Sequence, residues 1–172
     1  MKEIKTARLL LRNIYESDAK DIFEYGKEPN VGPNAGWKPH TDIEETLQVM
    51  EQVFVGKENV FGIVLKDSGK MIGSIGLIDD PRRNNPHAMM LGYAMSEHYW
   101  GKGLMTEAAQ AIIERAFHEL SIDIISCTCY SSNTRSRRVI EKCGFQYEGC
   151  LRRAEQRYDG QIMDIECYSL IK

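Results

Sequence analysis

Two stretches of this sequence carry residues whose types and spacing suit chemistry. In Tyr99-Trp100-Gly101-Lys102-Gly103-Leu104-Met105-Thr106, two glycines flank a lysine just before a helical apolar pattern: Ala108, Ala109, Ile112, Ile113, Ala116, Phe117 and Leu120. The first N–H groups of a helix lack intrahelical partners and the helix dipole makes that end positive, so anions bind there. Glycine lets the backbone approach a phosphate without an intervening Cβ. The segment reads as a phosphate cradle with Lys102 as counter-charge, and a plain turn with a helix cap is the competing reading. The second stretch, Asn133-Thr134-Arg135-Ser136-Arg137-Arg138 through Gly144, reads as a short basic helix with an Asn or Thr cap and a glycine stop.

Other chemistries find little support. The chain has five cysteines, an odd number, at positions 127, 129, 143, 150 and 167, with no Cys-x-x-Cys pair. A zinc site needs more ligands than the adjacent Cys127 and Cys129 supply, and the four histidines are scattered, so free buried thiols in a reducing cytoplasm and no metal are expected. The net charge of −3 gives no reason to expect nucleic acid. Neither a membrane-length apolar run nor a signal-peptide core is present, which points to a cytoplasmic protein. With 172 residues the chain is read as a single domain over 1–172.

The elements that must position these stretches follow from periodicity. Ile4 to Ile14 reads as a strand and about Asp18 to Lys27 as a helix, with a turn-rich loop over 28–40. Thr41-Asp42-Ile43-Glu44 reads as a capping box before Ile43, Leu47, Met50 and Phe54 at helical spacing. Strands are expected at Val60–Leu65, Lys70–Ile78, Ala88–Met95, Ile124–Tyr130, Gln146–Arg153 and Gln161–Ile171. The helix between Met95 and Ile124 makes their two strands parallel. The expected fold class is α/β: a mixed, mostly antiparallel sheet with flanking helices.

The two motifs, with Thr6-Ala7-Arg8-Leu9-Leu10-Leu11-Arg12, Leu91-Gly92-Tyr93-Ala94-Met95 and Tyr158-Asp159-Gly160, resemble the GNAT superfamily of acetyl-CoA-dependent N-acetyltransferases. The resemblance is to the branch of the ribosomal-protein N-terminal acetyltransferases, the RimJ/RimL type. It implies the GNAT fold, acetyl-CoA as acetyl donor, and a gap between the fourth and fifth strands of the family for the pantetheine arm. Backbone amides of Trp100, Gly101, Lys102, Gly103, Leu104, Met105 and Thr106 would hold the diphosphate. Trp100 and Met105 depart from the family pattern of Gln or Arg and of Gly or Ala, at positions where the contacts are backbone ones. Tyr93, Ala94 and Met95 would present backbone groups to the pantetheine and the thioester carbonyl, the Tyr93 ring being read as packing. Asn133 would bond the cofactor arm or cap its helix. Arg138, with Arg135 and Arg137, would suit the 3′-phosphate or form a solvated face.

The tyrosine that many members use as proton donor is replaced by Ile140, and a glutamate common in the fourth strand is replaced by Met90. The resemblance then points to Ser136 as proton donor to the departing thiolate. Glu155, placed in the loop between the last two strands, is the first candidate base, ahead of Asp79, His40 and His87. The expected activity is acetyl transfer to a primary amine, a protein or peptide N-terminal α-amine, by direct attack in a ternary complex. A small-molecule amine (polyamine, amino sugar, antibiotic) and a non-catalytic acyl-CoA-binding module are the alternatives. The expected partner is the amine acceptor, with no nucleic acid or membrane, and the protein is expected to be a monomer or homodimer.

Overall fold

In a computed structural model that describes residues 3–172, the apolar runs become strands of a sheet and the helical patterns pack on its two faces. Met1 and Lys2, which open the charged N-terminal segment, lie outside the described residues. In chain order the elements are β1 (Ile4–Lys5), β2 (Leu9–Arg12), α1 (Ala19–Gly26), α2 (Gly32–Ala35), α3 (Ile43–Val53), β3 (Val60–Leu65) and β4 (Met71–Asp79). There follow β5 (Ala88–Met95), α4 (Leu104–Glu119), β6 (Ile124–Tyr130), α5 (Thr134–Lys142), β7 (Gln146–Gln156) and β8 (Ile162–Ile171). The eight strands lie in the order β1-β2-β3-β4-β5-β6-β8-β7. All neighbours are antiparallel except β5 and β6, which α4 joins by a crossover.

Helix α4 turns Leu104, Met105, Ala108, Ala109, Ile112, Ile113 and Ala116 onto one face of the sheet, where they meet Leu9, Leu11, Ile63, Leu91 and Ile125. Each fully buried Ile or Leu there contributes about 1.5–3 kcal/mol from apolar burial. A second cluster on the other face joins Ile22, Tyr25, Met50, Val60, Val64 and Met71 under α1 and α3. Trp100 packs against both clusters.

Four local expectations are corrected. The strand expected over Ile4–Ile14 breaks between Lys5 and Leu9, because the Thr6 hydroxyl and the Arg8 N–H donate to Glu107 of α4 instead of continuing a ladder. The loop over 28–40 contains the single turn α2, closed by Gly36 at φ 92°. The capping box lies one residue later than Thr41–Glu44. Asp42 accepts the Glu45 N–H at 2.7 Å, and the Glu45 carboxylate accepts the Thr41 N–H at 2.6 Å. Glu155 is not in a loop. A bulge between Leu151 and Glu155, with Arg153 at φ 52° and its N–H donating to Asp164 at 2.7 Å, lets β7 resume through Gln156.

Candidate active site

Strands β5 and β6 pair only from Ala88–Leu91 against Ile124–Cys127. Beyond that point Gly92 to Met95 stay with β4 and Thr128 to Tyr130 stay with β8, so the sheet opens between them. The Ser96 N–H donates to Ile72 C=O on the β4 side at 2.9 Å. Because a ladder alternates its hydrogen-bonding edge every residue, Tyr93 and Met95 direct their backbone groups into the opening. The Met95 carbonyl accepts from the Trp100 indole at 2.8 Å. The Tyr93 N–H and C=O and the Met95 N–H thus face the gap without a β6 partner among the described residues.

The loop after Trp100 completes this end. Gly101 and Gly103 both sit at φ 75°, a conformation costly for residues with a Cβ, and no heavy atom lies within 4 Å of the site a Gly101 Cβ would take. From 101 to 106 no backbone N–H has a protein acceptor among the described residues, and the first helical bond is Glu107 N–H to Gly103 C=O. Six consecutive unpaired N–H groups, two of them on the buried residues Leu104 and Met105, form an anion cradle. This cradle and the open edge of β5 fit a diphosphate joined to an amide-bearing arm.

Arg8 holds the loop from below: its Nη1 donates to Lys102 C=O at 2.9 Å and its Nε to Glu107 at 2.7 Å. Glu107 also accepts from the Thr6 hydroxyl at 2.6 Å. Burial opposes charge on Glu107, but Thr6 and Arg8 outweigh it and hold its carboxyl below the ordinary value. The Lys102 ammonium lies 5.1 Å from the centre of the Tyr99 ring, and Arg135 lies 4.6 Å from that of Trp100 at the opening. Arg137 is spoken for by Glu166, whereas Arg138 stands on the exposed face of α5.

Across the gap, Asn133 caps α5 by accepting the Ser136 N–H at 3.1 Å, while its amide donates to Asn34 C=O at 3.3 Å. The Ser136 hydroxyl meets the Tyr93 hydroxyl at 2.8 Å. Burial first, and then neighbouring thiols, push the Tyr93 phenol well above its ordinary value, so it stays protonated. Sequence reasoning read this ring as packing. The one available signal was its place on a strand expected to splay, opposite the helix that carries Ser136. Cys127 and Cys129 face the same cavity, and burial pushes the Cys129 thiol up to about 11 and the Cys127 thiol higher still.

A cavity of about 700 Å³ runs from this opening to the face covered by α1 and α3. Glu155 lies on its wall and accepts from the Tyr130 hydroxyl at 2.6 Å, a contact that, after burial, raises the Tyr130 phenol. His40 also lines it. The Thr46 hydroxyl donates to Asp42 C=O at 3.0 Å, so the 2.9 Å contact with His40 Nδ1 places the ring proton on Nδ1. Burial lowers the His40 pKa and favours the neutral ring. Met90 lines the cavity as well, whereas Asp79 and His87 do not. Among the described residues there is no cluster of three His, Cys, Asp or Glu placed to hold a metal, and no helix is long and apolar enough to cross a membrane.

A half-open parallel ladder facing a glycine-built anion cradle defines an acyl-CoA-dependent acyltransferase fold. The family model described as the acetyltransferase (GNAT) domain matches residues 8–146, and the chain belongs to that family. It is 30% identical to the uncharacterized N-acetyltransferase p20 of Bacillus licheniformis, over 100% of this chain and 97% of that protein. It is also 28% identical to the [ribosomal protein uS5]-alanine N-acetyltransferase of Escherichia coli, over 85% of this chain and 79% of the relative. A crystal structure of a GNAT-family acetyltransferase from Bacillus anthracis superposes with a TM-score of 0.87 at 25% identity, covering 99% and 98% of the two chains. The protein is an N-acetyltransferase that takes its acetyl group from acetyl-CoA.

Proposed function

We propose that the acceptor is the α-amine at the N-terminus of a peptide or protein, attacking the thioester directly while both substrates are bound. The observation that carries the reading is the Tyr93–Ser136 hydroxyl pair beside the open edge of β5, at the point where the cavity crosses the sheet. In this reading the residues of the 101–106 loop bind the diphosphate through their N–H groups. The free N–H groups of Tyr93 and Met95 polarise the carbonyl as negative charge develops on its oxygen. The amine nitrogen bonds to the carbonyl carbon and the C–S bond breaks. Ser136, held by its hydrogen bond to Tyr93, gives a proton to the departing sulfur, whose conjugate acid has an ordinary pKa near 8.5, and regains one from solvent as Glu155 releases the amine's proton there. Glu155 receives the proton released by the amine, with Tyr130 holding its carboxylate in place.

The modest base favours an α-amine. Freeing an amine of pKa near 8 at pH 7 costs about 1.4 kcal/mol, against about 4–5 kcal/mol for a lysine side chain. The raised pKa values of Cys127 and Cys129 make both weak nucleophiles, which supports direct attack over an acyl-cysteine route. The test is thiol release from acetyl-CoA across free peptides, N-terminally blocked lysine peptides, polyamines and amino sugars. The expected result is turnover with the free peptides alone. Turnover confined to any other class would overturn the reading.

A further inference from the structure

The part of the cavity on the α1–α3 face is walled mainly by apolar side chains, with Asn34, Lys38, His40 and Glu45 set between them. Tyr25, Val31, Trp37, Val49, Phe54 and Val60 line it, drawn from α1, α3 and its C-terminal cap, the segment between the two helices, and β3. Most polar groups nearby are engaged, although the buried Trp37 Nε1–H has no protein partner among the described residues and Lys38 also reaches the lining. The Tyr25 hydroxyl bonds Ser74, the Glu45 carboxylate is turned to the Thr41 N–H and hydroxyl, and His40 gives its Nδ1 proton to Thr46. The apolar lining continues to the mouth, where Val53 and Ile78 remain 49% and 50% exposed although both are hydrophobic. Among the described residues this side does not gather the several carboxylates a polyamine would need, nor a ring of free hydrogen-bonding groups suited to an amino sugar.

Resting on the α-amine reading, we infer that the acceptor residue bearing the amine has a large apolar side chain, aromatic or branched, which enters this chamber while the amine reaches the opening beside Tyr93 and Ser136. A small residue such as Ala or Ser would leave the apolar wall wet and uncontacted. A charged one would lose its water against a largely apolar wall, which costs more than an apolar fit gains. One methylene in an apolar pocket already discriminates by about 10–200-fold.

The experiment is a series of tripeptide amides differing only at the first residue (Phe, Leu, Met, Ala, Ser, Lys, Glu), assayed by thiol release with acetyl-CoA at saturation. We expect kcat/KM for the Phe and Leu peptides to exceed that for Ala and Ser by about tenfold or more. Ala, Ser or a charged residue performing as well as Phe and Leu overturns the inference. A Val49→Asp variant, altered on the half-buried face of α3, should lose about tenfold with the Phe peptide. Its acetyl-CoA Kd should stay within about threefold, and its loss with the Ala peptide should be clearly smaller than its loss with the Phe peptide. An equal loss with every peptide, acetyl-CoA binding being intact, counts against the chamber. If the variant loses acetyl-CoA binding through misfolding, the wild-type series still decides. Free α-amines reacting without regard to side chain sink this inference alone. Lysine peptides, polyamines or amino sugars reacting in their place sink the α-amine reading with it.

Discussion

The two halves of the cavity are made of different material. The half proposed for the donor is backbone: six N–H groups of the 101–106 loop unpaired among the described residues, and the unpaired edge of β5, held by glycines at φ 75°. The half proposed for the acceptor is side chain: Tyr25, Val31, Trp37, Val49 and Phe54, presented by α1, α3 and the segment between them. A backbone site is indifferent to most substitutions as long as its conformation survives, so it can serve one donor across many sequences. A site of side chains changes with each substitution, so on the proposed reading specificity for the acceptor would be set there. Trp100 stands at the junction, in contact with the clusters on both faces of the sheet.

The comparison can be broken most sharply at the chemical step. Ser136→Ala should lower kcat by about 100-fold, the lower end of what a positioned proton donor contributes, with the acetyl-CoA Kd unchanged within about threefold. Stopped-flow thiol release and calorimetry separate the two. Gly103→Val forces a β-branched residue into the left-handed region and should weaken acetyl-CoA binding by about tenfold or more. The acceptor KM measured at saturating acetyl-CoA should change little. Arg8→Ala releases the Lys102 carbonyl and removes one of the Glu107 partners, the Thr6 hydroxyl and the residue 8 N–H remaining, without touching the cavity, and should raise the KM for acetyl-CoA about three- to tenfold at nearly constant kcat.

The smallest effect belongs to the acceptor half. Burial depresses the His40 pKa, so the folded state binds fewer protons than the unfolded chain. Its contribution to stability is present above the ordinary value near 6.5 and is lost as pH falls below it. Urea melts between pH 7.5 and 5.5 should show that loss in the wild type and a flatter profile in His40→Asn.

The same division explains what was legible in the sequence. Gly101 and Gly103 before a helical run announce the left-handed turn and free N–H groups at the start of α4, because a glycine requirement is written in residue identity. The β5–α4–β6 crossover follows from periodicity. Glu155 was misplaced into a loop because a bulge that restarts β7 after Arg153 depends on the partner Asp164, eleven positions away. The strand break at Thr6–Arg8 was invisible for a similar reason, since Glu107 lies about a hundred residues on. The Tyr93 hydroxyl and the apolar chamber are tertiary products of the same kind. Their residues are ordinary core formers until the fold brings them together.

The central claim is that donor and acceptor occupy two halves of one cavity at the same time. Initial rates of thiol release over a grid of acetyl-CoA and Phe-peptide concentrations test it directly. Intersecting double-reciprocal lines are expected, with no acetylated cysteine detectable after incubation with acetyl-CoA alone. Parallel lines together with an acetylated Cys127 or Cys129 would contradict it.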